Sequence, residues 1–94
     1  MTIINSTDST ISWFCFNHLD AAKVIALASG HLDKGNSKSY TPPPNVDGFY
    51  SVRFTPKGGG LELAMGTVSA GGTITLCEDD GQYYTVVSLS LIHI

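Results

Sequence analysis

Charge is what this sequence has least of. Only 14% of its 94 residues are charged, against roughly 25% in a typical soluble domain, so short neutral side chains must supply much of the polar surface. The five basic residues, Lys23, Lys34, Lys38, Arg53 and Lys57, stand singly along the chain. No stripe of them follows a phosphate backbone, and phosphate neutralisation supplies most nucleic-acid affinity, so nucleic acid is not the expected partner. The net charge of -3 is too mild for strong steering of charged ligands. Long hydrophobic runs are missing too. Nothing approaches the roughly 20 apolar residues of a membrane-crossing helix, and the opening "MTIINSTDST" lacks the basic-then-apolar order of a secretory signal. The expectation is a soluble chain with no transmembrane segment and no visible signal peptide, its location left open.

Cysteine is scarce. Cys15 and Cys77 allow one disulfide, whose formation depends on compartment and geometry; two buried free thiols are the simpler reading, since free cysteine behaves as a small hydrophobe. Asn5-Ser6-Thr7 fits a glycosylation acceptor but is read as a turn, because the pattern has meaning only in a secreted chain. The length fits a single domain over residues 1–94.

The motifs of catalysis are also absent or incomplete. Cys15, His18 and Asp20 lie close in "ISWFCFNHLD", yet a reactive thiolate needs a basic partner within reach, and on an extended chain His18 has the opposite parity to Cys15. His18 with Asp20 and His31 with Asp33 share a His-x-Asp spacing, but no Cys-x-x-Cys or His-x-x-x-His pair supports a metal site. "EDDG", Glu78 to Gly81, lacks the alternating oxygen ligands of a calcium loop. The glycines of "KGGG" follow their lysine and precede a strand, the reverse of a phosphate loop. No catalytic residue, metal or cofactor is therefore assigned. A small hydrolase or metal enzyme joining His18 or His31 to carboxylates stands only as a third reading.

What is present is alternation. Thr2 to Asn5 and Thr10 to Phe16 read as the two arms of a hairpin about Ser6-Thr7-Asp8-Ser9. The second arm is apolar on both parities, Ile11, Trp13 and Cys15 against Phe14 and Phe16, which predicts a strand covered on both faces. Asn17 to Ser29 is alanine-rich and predicts a short helix ended by Gly30, with a strand over Lys23 to Ala28 as the alternative. Asp33 to Asn36 turns into a short strand over Ser37 to Thr41, and Pro42-Pro43-Pro44 marks a crossing or loop. Phe49 to Thr55 alternates, with Tyr50, Val52 and Phe54 on one face and Ser51, Arg53 and Thr55 on the other. Leu61, Leu63 and Met65 then alternate with Glu62 and Ala64 after a glycine turn. Ile74 and Leu76 face inward on the strand after Ser69-Ala70-Gly71-Gly72. Asp80-Gly81 signals a tight hairpin into a long last strand over Gln82 to Ile94, with Val87, Leu89 and Leu91 inward. Four strands joined by short turns predict an antiparallel meander, and the whole a mainly β domain: a small antiparallel sandwich or barrel with at most one short helix near residues 18–29.

A neutral, Ser/Thr-rich surface with tyrosines beside turns suits hydroxyl-rich or peptide ligands, because tyrosine joins a flat apolar ring to a hydroxyl. The expected function is a non-enzymatic, lectin-like binding module for a carbohydrate or protein ligand. Its candidate ligand-binding residues are Tyr50, Asp79, Asp80, Gln82, Tyr83 and Tyr84. The rival is a structural or assembly subunit, a homo-oligomer completed through its apolar "WFCF" and "SLSLIHI" strands.

Overall fold

The computed structural model describes residues 1–20 and 25–88. In chain order its strands are β1 (Thr2–Asn5), β2 (Ile11–Asn17), β3 (Ala28–Leu32), β4 (Ser37–Ser39), β5 (Phe49–Pro56), β6 (Ala64–Ser69), β7 (Thr73–Asp79) and β8 (Gln82–Ser88), with a 3-10 turn at His18–Asp20. They form two four-stranded sheets, β4-β1-β7-β8 and β3-β2-β5-β6. The expected mainly β sandwich is what the alternation produces; between sandwich and barrel, the sheets remain separate.

The order of strands within the sheets differs from the sequence reading in two places. First, β1 and β2 are not a hairpin. β1 pairs antiparallel with β4 and parallel with β7, whereas β2 pairs with β3 and β5 in the other sheet. The chain arches from one sheet to the other, and Asn5 holds the arch. Its side chain is fully buried. Its amide nitrogen donates to the carbonyls of Ser9 (2.8 Å) and Leu32 (2.9 Å), and its Oδ1 accepts from the Thr7 amide (2.9 Å) and hydroxyl (2.6 Å). A local side-chain network of this kind replaces the ladder bonds that a hairpin turn would make. It also leaves Asn5 buried and bonded in the folded chain, where no glycan can be carried.

Second, the meander is two hairpins in different sheets. β5 pairs with β6, β7 pairs with β8, and the Ser69–Gly72 turn between them changes sheets. Two glycines allow the close approach this needs. A Cβ on Gly72 would stand 2.8 Å from the Ser88 carbonyl oxygen, and one on Gly66 would stand 2.8 Å from both Ile74 Cδ1 and Thr85 Oγ1. The contact at Gly72 is with backbone, which cannot swing aside. Gly72→Ala is therefore expected to lower the denaturant midpoint in an unfolding titration, by about 1 to 3 kcal/mol of stability.

The core fills the space between the sheets, with Ile3, Ile74 and Leu76 from one and Trp13, Tyr50 and Phe54 from the other. As expected, β2 is covered on both faces: Trp13 and Cys15 turn inward, while Phe16 on the outer face is still only 1% exposed, with the Arg53 guanidinium 5.6 Å over its ring. The helix expected over Asn17 to Ser29 is absent where the chain is described. Ala21 to Val24 lie outside the described residues. On either side stand the short 3-10 turn and β3, in which Ala28 pairs with Cys15; just before it Leu27 N–H donates to the Cys15 carbonyl (2.7 Å). At Ala28, pairing to β2 overrides helix propensity. Gly30 is not a helix end but a strand residue under the Trp13 indole, where a Cβ would come within 3.0 Å of Nε1.

The parity of β6 is also the reverse of that read from the sequence. Phe54 pairs with Ala64, so Ala64 and Val68 face the core while Met65 points out at 46% exposure; Leu61 lies in the preceding loop, 90% exposed. Leu63 packs on the core edge as expected. The prolines do cross between sheets, linking β4 to β5. In the final segment, Val87 shares the inward parity of Ile74, and Leu89 to Ile94 lie outside the described residues.

Candidate functional site

Three turns meet at one end of the sandwich: the β1–β2 arch, the β3–β4 turn and the tip of the β7–β8 hairpin. Backbone hydrogen bonds tie the arch to the β3–β4 turn, Gly35 N–H to the Asn5 carbonyl (2.8 Å) and Asn5 N–H to that of Asn36 (2.9 Å), and Ser6 N–H to that of Leu76 (2.9 Å) ties the arch to β7. Between the arch and the β3–β4 turn lies an open groove of about 450 Å³, lined by Ser6, Thr7, Asp8, Lys34 and Gly35. It offers the Ser6 hydroxyl, one carboxylate, one ammonium and backbone polar groups on a frame fixed by Asn5; the Thr7 hydroxyl is buried and taken up by Asn5 and Ser9. Such groups accept and donate hydrogen bonds to a polar, largely neutral ligand.

The β7–β8 hairpin turns at the same end of the sandwich, on the other side of β1 from β4. Asp79 pairs with Gln82, and the two turn residues, Asp80 (φ 53°) and Gly81 (φ 76°), are both left-handed, as a tight I′ turn requires. Tyr83 turns inward beside Glu78. Burial pushes the Tyr83 phenol up from its ordinary pKa, and the neighbouring Glu78 and Asp8 carboxylates add to the rise.

Of the candidate residues, Asp79, Asp80, Gln82 and Tyr83 lie together on the β7–β8 hairpin, and none of them lines the groove. Tyr84 belongs to the next face, pointing out from the sheet at 47% exposure. Tyr50 is elsewhere: its ring is in the core, 1% exposed, and its hydroxyl donates to the Pro43 carbonyl. Nothing of it is left for a ligand to touch, because the inward parity of β5 that buries Val52 and Phe54 buries Tyr50 as well. Sequence reasoning missed the groove residues Ser6, Thr7, Asp8, Lys34 and Gly35, which read as two ordinary turns; their meeting depends on long-range pairing.

The groups considered for catalysis are dispersed: Cys15 faces the core, while the two histidines bond to hydroxyls of the β3-β2-β5-β6 sheet. His31 Nδ1 lies 2.8 Å from Ser12 Oγ, and His18 Nδ1 lies 3.4 Å from Ser51 Oγ and 3.5 Å from Thr67 Oγ1. Among the described residues neither imidazole contacts a carboxylate; Asp33 instead accepts from the Thr10 hydroxyl (2.9 Å). A triad needs the imidazole oriented by an acid and the hydroxyl aimed at a substrate site. Among the described residues no three His, Cys, Asp or Glu side chains converge on a metal position. Arg53 Nε is 2.9 Å from Glu62 Oε1, close enough for an ion pair but not aligned as a hydrogen bond.

Both cysteines are free. Cys15 faces the core on β2 and Cys77 the outer face of β7, so the two point away from each other. Burial pushes the Cys15 thiol up from 9.0 to about 11, the N-terminal charge lowering it only in part. The unfolded chain therefore releases this proton first as pH rises. The folded state keeps its advantage below pH 9 and loses it progressively between about pH 9 and 11, as linkage requires. Thiol labelling is expected to modify Cys77 rapidly in native protein and Cys15 only after unfolding, with the alkaline loss of stability diminished in Cys15→Ala relative to that variant's own neutral value.

At the opposite end, a smaller pocket of about 240 Å³ is lined by Asn17, Leu19, Asn45, Val46 and Asp47. Asn45 braces the loop there, donating to Asn17 Oδ1 (3.0 Å) and the Phe49 carbonyl (2.8 Å) and accepting from Gly48 N–H (2.7 Å). No helix among the described residues is long and apolar enough to cross a membrane. No protein-family model, curated protein or solved structure matches the chain.

Proposed function

We propose that the protein is a non-enzymatic binding module that takes a carbohydrate or a segment of another protein at the groove end of the sandwich. The observation that carries this reading is the groove itself, a concave surface of short polar side chains on a turn fixed by buried hydrogen bonds. A ligand bound there meets donors and acceptors already in place, so little ordering opposes binding. Asp8 and Lys34 flank the groove with opposite charges, and Asp79, Asp80 and Gln82 stand on the hairpin at the same end of the sandwich, where a longer ligand would reach them.

The sequence rival, assembly through "WFCF", has no support in β2, whose two edges are already paired with β3 and β5. A glycan array and a protein pull-down test the proposal together. A ligand found by either is expected to lose about tenfold or more in affinity on Lys34→Ala or Asp8→Ala, the effect of removing a charged hydrogen bond. Blank screens at high protein concentration, or a ligand indifferent to both substitutions, overturn it.

A further inference from the structure

The outer edge of β8 differs from the opposite edge of the same sheet. On β4 the central residue, Lys38, stands beside the inward-facing Ile3, and an inward-pointing lysine is a device that stops one sheet edge from adding to another. Among the described residues β8 has none of these devices. Its sequence "QYYTVVS" contains no charge, proline or glycine, and its register with β7 runs from Asp79–Gln82 to Thr73–Ser88 without a bulge. It also exposes Tyr84 (47%), Val86 (50%) and Val87 (36%).

The two-residue turn makes Asp79 and Gln82 a hydrogen-bonded pair, so alternate residues fix the rest of the ladder. Tyr84, Val86 and Ser88 bond to β7 through their backbones. Tyr83, Thr85 and Val87 turn their N–H and C=O groups toward the open edge, where no further strand stands among the described residues.

We infer that this edge pairs with β8 of a second copy of the chain, antiparallel about a two-fold axis at Thr85, making one continuous sheet across the dimer. The sequence is self-complementary in that register. Tyr83 meets Val87, Tyr84 meets Val86, Thr85 meets itself and Gln82 meets Ser88, so each exposed apolar side chain gains an aromatic or β-branched partner. Shifting by two residues opposes Tyr84 to itself or to Ser88 and loses the match. Charge selects the direction. Glu78, Asp79 and Asp80 all lie at the start of the strand; antiparallel pairing carries the two acidic tips to opposite ends, whereas parallel pairing sets them side by side. Tyr84 then serves the second copy rather than a ligand, and the groove stays open.

Sedimentation from low micromolar to several hundred micromolar protein is expected to show a monomer–dimer equilibrium. Over the same range, amide exchange of Thr85 and Val87 is expected to slow by about tenfold or more, while Tyr84 and Val86, already bonded to β7, hold their monomer rates. Val86→Glu, on the outer face, is expected to leave a folded monomer by circular dichroism, and Tyr84→Lys/Val86→Glu to restore the dimer through the cross-strand Lys–Glu pairs. A monomer throughout with fast Thr85 and Val87 exchange overturns the inference. So does a dimer that Val86→Glu leaves intact or that the double variant fails to restore.

Discussion

Asn5→Ala is expected to lower the melting temperature by about 15 to 30 °C, since 1 kcal/mol shifts a domain of this size by roughly 4 to 8 °C. The substitution removes a side chain that is fully buried and makes four hydrogen bonds. It leaves the Ser9 and Leu32 carbonyls and the Thr7 amide without that partner, and unsatisfied buried groups of this kind lose about 1 to 3 kcal/mol each before water partly relieves them. A total near 4 kcal/mol is a large part of the roughly 5 to 15 kcal/mol that holds a small domain folded. Asn5→Asp separates the two halves of the network. A carboxylate still accepts from Thr7 but cannot donate to Ser9 or Leu32, so it too is expected to melt well below the parent. A melting shift under a few degrees for both variants, read by far-ultraviolet circular dichroism, would show that the arch is held by something else.

Trp13→Ala is expected to destabilise by about 3 to 5 kcal/mol, the range for deleting a large aromatic from a packed core. Trp13 is 3% exposed, and its ring lies over Gly30 with its centroid 6.2 Å from that of Tyr40. Tyr40 is in turn tied to the chain start, its N–H donating to the Met1 carbonyl (2.9 Å) and its carbonyl accepting from the Met1 ammonium (2.7 Å). The cavity would open where three strands and the N-terminus meet. The contact with Gly30 gives a sharper expectation than the size of the loss. In the parent, Gly30→Ala forces a Cβ to within 3.0 Å of the indole nitrogen and should destabilise. In Trp13→Ala that obstacle is gone, and the same change should become neutral or favourable. A double-mutant cycle with coupling below about 0.5 kcal/mol, the level of independent sites, would contradict the packing described.

Much of the fold was legible as alternation. The shared face of Tyr50, Val52 and Phe54, the inward parity of Ile74 and Leu76, the doubly covered β2 and the Asp80-Gly81 turn all follow from period two and turn chemistry, which are local properties. What was not legible is non-local. Ser6 to Ser9 and Ser69 to Gly72 have the composition of hairpin turns, and nothing in those residues tells that each chain end leaves for a different sheet. The decisive groups are a buried asparagine and two crowded glycines, whose roles exist only once both sheets are present. The alanines before Gly30 favoured a helix locally, but β3 answers to the edge of β2 rather than to propensity. β6 was read one residue out of phase because Leu61 and Met65 are apolar yet exposed, and parity was set by Phe54 across the ladder. The same limit applied to the site. Four of the chosen residues lie on one continuous hairpin and so stay together, whereas Tyr50 was chosen for its type and proves to be core. Asp8 and Lys34 meet only because β1 pairs with β4.

The claim that ligand binding occurs at the arch and hairpin end is tested most directly by amide chemical-shift mapping, titrating a ligand from the glycan or protein screen into isotope-labelled protein. The account predicts perturbations concentrated at Ser6 to Asp8, Lys34 and Gly35, spreading to Asp79 through Tyr83. Perturbations centred instead on Asn45 to Gly48 at the opposite end, with the groove amides unmoved, would contradict it.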